Sequence, residues 1–195
     1  PTEVNINSAQ FTDKVTVVEA AYYEKFAATP IGKPIKIETL KTPKDKEITE
    51  DTLKNLITPP GDKKIKSIRV ISKPDGKTVG DEPAKIVITY TDGSTQGSDD
   101  NPVLIPVEVH DNIIPSYDGD RPEGALANYV KISFKAGTGG KISDKNKKAY
   151  YVSPEVEVDL TKIADAITKT PDTGYINDKW DKKLKGKFSN ETTFT

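Results

Sequence analysis

Apolar and polar residues alternate with a period of two along much of this chain, the pattern of half-buried β-strands. Across residues 84–90, Ile86, Ile88 and Tyr90 fall on one side, with Lys85, Val87 and Thr89 on the other. Residues 103–109 bring Val103, Ile105, Val107 and Val109 together, opposite Leu104, Pro106 and Glu108. Pro106 has no N–H for a ladder, so this strand is expected at an edge or with that position unpaired. Further strands are expected over 14–19, 34–38, 65–71, 128–134, 148–152 and 192–195, with Val130, Ile132 and Phe134 facing together.

Two stretches change to helical spacing. Thr49 reads as an N-cap, and Ile48 before it is placed to pack on Leu53 as a hydrophobic staple. Leu53, Leu56 and Ile57 supply the apolar stripe, and Pro59-Pro60 is expected to end that helix. Asp159 caps a second run of Leu160, Ile163, Ala164 and Ile167, with Val158 and Ile163 repeating the staple. A third turn or helix is expected over 20–28.

Between the patterned halves, residues 111–127 gather Asn112, Pro115, Gly119, Asp120, Pro122 and Gly124, with few apolar residues after Ile114. No internal repeat relates the two sides. The expectation is therefore two different units in tandem, residues 1–115 and 128–195, joined by a linker over 116–127.

Composition narrows the function. Apolar residues make up 34% of the chain and charged residues 30%, polar for a folded protein, yet the strand runs exclude wholesale disorder. With 29 basic against 30 acidic residues, neither half is basic enough to follow a nucleic acid backbone. Arg69 and Arg121 are the only arginines, which argues against bidentate recognition of a charged ligand. Cysteine and methionine are absent, so disulfides, thiolate metal sites and Cys nucleophiles are excluded. Starting at Pro1-Thr2, with no signal peptide and no apolar run long enough to span a bilayer, the chain reads as a section of a longer protein.

Residues 58–110 run through a Lys73-Pro74-Asp75 turn, Gly80, a strand ending Tyr90-Thr91-Asp92-Gly93-Ser94, a loop, and Pro106-Val107-Glu108-Val109. This resembles the Rib/alpha-like repeat of Gram-positive surface proteins. The short helix from Thr49 sits where that family places one. Thr91 replaces the family's usual Pro, and residues 96–102 lengthen the hairpin. Residues 126–195 carry Tyr129 to Phe134, Gly137 to Gly140, Tyr150 to Val152, Thr170 to Tyr175, Trp180 and Thr192 to Thr195. That order resembles a second surface-protein repeat, related to the InlB B-repeat type, although Ile176 and Asp178 interrupt the family's aromatic spacing. Together the resemblances imply a mainly β chain: an Ig-like β-sandwich with a short helix, followed by a small α+β, β-grasp-like module. The parent would be a wall-anchored extracellular adhesin or biofilm protein.

No catalytic constellation emerges. His110 is the only histidine, and no Ser or Cys in a triad-like setting accompanies it, so it is expected at a strand end or in the linker. A single histidine without cysteine argues against a zinc centre. Two acidic loops are calcium candidates: Asp99 and Asp100 in one, Asp118 and Asp120 in the other. Neither has EF-hand spacing, and both are expected to be solvated turns that need no metal. The run Gly137-Thr138-Gly139-Gly140 joins two strands and is expected to be a hairpin turn, not a phosphate loop. Trp180 and Tyr175, with Phe134, are either core or an exposed platform for carbohydrate, and core is favoured. No motif selects a Lys–Asn pair for an isopeptide crosslink. The expected role is a non-catalytic, cofactor-free, monomeric stalk or adhesive region that spaces or presents a binding head. The alternatives are direct binding of a host protein or glycan, and an accessory region of a secreted hydrolase.

Overall fold

The computed structural model describes residues 35–144, 147–177 and 179–195; the strand expected over 14–19 and the helical turn expected over 20–28 lie outside these. The described residues are mainly β with two short helices, as the alternation implied.

The strand Ala84–Tyr90 organises the first half. Its even positions, Ala84, Ile86, Ile88 and Tyr90, are all buried while Lys85 is exposed. On one edge it pairs antiparallel with Ile65–Ser72. That ladder shifts register between Ile65 and Ser67, so Ile65 and Ile68 both contribute to the core despite an odd separation. The other edge pairs first with Thr95–Gln96 and then with Val103–Ile105. Gln96 lies opposite Ile88 and Val103 opposite Ile86, so residues 97–102 loop out of what is otherwise one ladder. Gly97 makes this tight exit feasible: its φ is 82°, and a Cβ there would meet Val103 N at 3.0 Å and Ile86 O at 3.2 Å.

The expected strand over 103–109 divides at Pro106. Val103–Ile105 stays with Ala84–Tyr90, whereas Val107–His110 pairs with Leu40–Pro43 in parallel and with Gly80–Asp81 in antiparallel fashion. Proline cannot extend either ladder, and the chain uses it to pass from one sheet to the other. The Pro106 carbonyl accepts from Leu40 N–H at 2.9 Å. Ile105, Val107 and Val109 share one core with Ile68, Ile86, Ile88 and Leu53, so the two sheets form a sandwich.

Helix α1, Glu50–Asn55, starts as its sequence dictates. Thr49 Oγ1 accepts from Thr52 N–H at 3.1 Å, and Ile48 and Leu53 are buried in the sandwich core. It ends before Pro59-Pro60: Leu56 closes it, and Ile57–Thr58 pairs with Lys36–Ile37, all that appears of the strand expected over 34–38.

The second sheet has the order Ile113–Ser116, Ala149–Val152, Val130–Phe134, Thr192–Phe194. Ile113–Ser116 falls where the sequence pattern suggested the end of one unit and the start of a linker. Pro115 masked it, yet an edge strand tolerates proline, and Pro115 lies opposite Tyr150 there. The outermost pair, Val130–Phe134 and Thr192–Phe194, is parallel. Helix α2, Thr161–Ala166, begins later than expected, with Leu160 in the capping position. Asp159 nonetheless accepts from Thr161 N–H at 2.9 Å, an interaction that holds its carboxyl below the usual range. Val158, Leu160 and Ile163 pack with Ile132, Tyr150, Val152 and Phe194 in a separate core.

The glycine run corrects its expectation. Residues 137–140 do not close a hairpin, because Gly140–Ser143 pairs with Thr168–Pro171 and not with Val130–Phe134. The run carries the chain out of one sheet and into another, where alternation along the sequence cannot reveal the partner.

Candidate functional site

The two cores meet at a short junction. Asp111 and Asn112 separate the strand Val107–His110 from Ile113–Ser116. Residues 117–129, which contain no strand, fold back upon it. Ser116 Oγ accepts from Gly119 N–H at 2.9 Å and reaches the Asp120 carbonyl at 2.6 Å. Arg121 donates to the carbonyls of Leu126 and Tyr129 at 2.6 and 2.9 Å, with its guanidinium 4.8 Å from the Tyr151 ring centre. Tyr129 donates to the Asp111 carbonyl at 2.9 Å, and burial together with the Asp111 charge pushes its phenol up to about 12.

His110 belongs to this junction. Its Nδ1 donates to the Gly124 carbonyl at 2.8 Å, and its Nε2 lies 3.5 Å from Glu108 Oε2. Among the described residues its polar contacts are to Gly124 and Glu108, the geometry of a strand-end residue fastening the folded loop. Both arginines are likewise occupied: Arg69 pairs with Asp99 at 2.5 Å and Arg121 with backbone carbonyls.

The acidic candidates divide between two turns. Asp99 faces Arg69, while Asp100 is exposed beside a turn closed by Ser98 and Asn101. Asp118 accepts from Asp120 N–H at 2.9 Å and lies 3.1 Å from Ser116 Oγ, contacts that lower its carboxyl, with the Asp120 amide first among them. Asp120 supplies backbone atoms to the same turn. Among the described residues no group of three or more His, Asp or Glu side chains could hold a metal ion. The turn at Asp92-Gly93-Ser94 is also self-contained: Asp92 accepts from the amide and hydroxyl of Ser94, and with Lys63 nearby its carboxyl falls to about 2.

The aromatic candidates separate by environment. Phe134 stacks on Phe194 with centroids 5.1 Å apart and meets Tyr150 edge-on, so it belongs to the core. Trp180 is partly buried at the rim of that core, 4.9 Å from Phe134, with Lys169 Nζ 4.4 Å from its ring centre. Tyr175 is 54% exposed and lies across Gly139, where a Cβ would come within 2.2 Å of its ring. Sequence reasoning missed what surrounds Trp180. The glycine run, Lys169-Thr170-Pro171 and Asn177 line an open cavity of about 250 Å³ beside it, and a second of about 610 Å³ shares Lys169, Asn177 and Trp180 with it. No local spacing announces this groove, because its walls come from segments that are distant in sequence.

Among the described residues no helix is long and apolar enough to cross a membrane. No curated protein matches the chain. Residues 24–111, however, match the family model described as Rib domain, a match that ends at the junction. Rib domains are repeat modules of extracellular Gram-positive surface proteins and are not a catalytic family. Residues 24–111 are thus similar to a Rib domain, in keeping with the resemblance of residues 58–110 to a Rib/alpha-like repeat.

Proposed function

We propose that the chain is a non-catalytic stalk region of a wall-anchored bacterial surface protein, spacing or presenting a binding head and contributing to adhesion or biofilm. On this reading it consists of two units meeting at Asp111-Asn112, the second a β-grasp-like module akin to the B-repeat. The observation that carries the reading is the junction. Two residues separate the last strand of the Rib module from the first strand of the next sheet, and the loop beyond them is fastened by His110, Arg121 and Tyr129. Such a joint suits modules strung in series, held at a defined angle without a long tether.

Small-angle scattering tests it. A compact particle of this length has a radius of gyration of about 16 Å. Two units in series should exceed about 20 Å, with a pair-distance distribution showing two maxima. A single-maximum profile near the compact value would sink the spacer reading.

A further inference from the structure

The groove around Trp180 has a chemistry that the stalk role does not use. Lys135, Lys141, Lys169 and Lys179 line the smaller cavity, and no described Asp or Glu side chain does. The larger cavity shares Lys169, Lys179 and Trp180 and adds Lys182, itself paired with Asp181, with Asp165 as its acid. Neither Lys135 nor Lys141 has a salt bridge among the described residues, and both are exposed. The protein as a whole is almost neutral, so this concentration of one sign is local.

The rest of the lining fits a sugar chain. The glycine run leaves space for a ligand to approach the backbone: beside Gly137 a Cβ would meet nothing within 4 Å. Across Gly139 the exposed Tyr175 offers a flat surface to the C–H face of a pyranose, while Trp180, its ring covered by Lys169, lines both cavities. Lysine is a point charge on a flexible stem and lacks the fork that reads one carboxylate or phosphate bidentately. A row of lysines therefore suits a repeating, loosely fixed anion. We propose that this groove binds an anionic polysaccharide, one bearing sulfate or uronic acid groups, through its lysines and the Trp180 edge. A nucleic acid fits less well, because one tryptophan already covered by a lysine gives no series of stacking platforms.

The proposal does not depend on the stalk reading, and each can fail alone. Heparin is the probe, titrated into the intact chain at low salt, about 50 mM, where surface charge is least screened. Binding should change the emission of Trp180, the only tryptophan. The Lys135→Gln/Lys141→Gln variant should bind about fivefold to tenfold more weakly, as expected for two surface charge contacts. The control pair Lys66→Gln/Lys85→Gln, exposed on strands of the Rib module, should bind like the parent. Neutral dextran should not bind. The proposal is overturned by absence of heparin binding, unchanged Trp180 emission on binding, or equal losses in the two variants. Tighter binding of polyglycerol phosphate or oligo-dT than of heparin would also overturn it.

Discussion

Lys46 and Glu155, 109 residues apart in sequence, form an ion pair of 2.6 Å that bridges the two halves of the chain. Their side chains are 42% and 32% exposed. A pair so open to solvent contributes about 0–1 kcal/mol and is screened by salt. With Tyr129 on Asp111 and His110 on Gly124, it is one of the few polar links across the junction. Lys46→Gln should therefore shift the stability of either half by less than about 1 kcal/mol. Tryptophan emission reports the second core alone, whereas far-ultraviolet circular dichroism reports both. The two probes should give non-coincident denaturation curves in parent and variant alike. Coincident curves that separate only in the variant would show that this pair couples the halves strongly.

Gly139 is held at φ +86° with the Tyr175 ring against its α-carbon. Gly139→Ala meets two penalties: a left-handed backbone, at about 1–2 kcal/mol, and displacement of the ring. The ring is exposed and can move, so the loss of stability should stay near about 1–2 kcal/mol and be confined to the second transition. The tyrosine should become more accessible, read as faster iodination of Tyr175. A destabilisation with Tyr175 unchanged would place the whole effect in the backbone.

How much of this was legible beforehand depends on where the information lies. Alternation in 84–90 and the Thr49 cap are local signals, and both emerged as read. The path of the chain at Pro106 was only half legible: proline announced a break in pairing, but not that the next residues join another sheet. Pro115 misled, because proline beside Asp111 and Asn112 reads as a boundary unless the strand is known to lie at an edge. The glycine run misled in the same way, since a turn of either kind needs positive φ and only tertiary pairing distinguishes them. The groove at Trp180 was illegible for a simpler reason. Its charge comes from lysines near 135–141, 169 and 179, each unremarkable in its own segment.

Calcium should be dispensable. Asp99 is engaged by Arg69, and Asp118 by Ser116 and the Asp120 amide, so a cation would have to displace existing contacts for few new oxygen ligands. Adding a chelator should leave the melting temperature unchanged. A drop reversed by calcium would make Asp99, Asp100, Asp118 and Asp120 the first ligands to substitute.

Tyr129 should give the junction an alkaline limit. Its phenol is raised to about 12, by burial first and by the Asp111 and Glu155 charges next, against about 10 when unfolded. The folded state thus favours the neutral form. Its contribution is fully present below pH 10 and is lost as pH rises from about 10 towards 12. Tyr150, also buried and bonded to Asp144, is raised as well. Spectrophotometric titration should show tyrosines that ionise late, together with loss of structure. Tyr129→Phe removes the bond to Asp111, costing about 1 kcal/mol at neutral pH, and should flatten the alkaline decline. An equally steep decline in that variant would assign the limit to Tyr150.

Trp180 offers the sharpest division between core and surface roles. Full burial would make Trp180→Ala cost about 3–5 kcal/mol. The ring is instead partly buried, with Phe134 against it and Lys169 over its face, and the groove open beside it. About 2 kcal/mol is therefore expected, roughly the share of transfer and edge-to-face energy that partial burial retains. Because the substitution removes the fluorophore, calorimetry is the appropriate measurement. The transition of the first half should remain in place while the other moves down. Movement of both transitions together would mean that the junction transmits stability, against the weak coupling inferred from Lys46 and Glu155. No movement at all would make Trp180 purely a surface group. Combined with lost heparin binding, that outcome would turn the second unit from a spacer into a ligand-binding module.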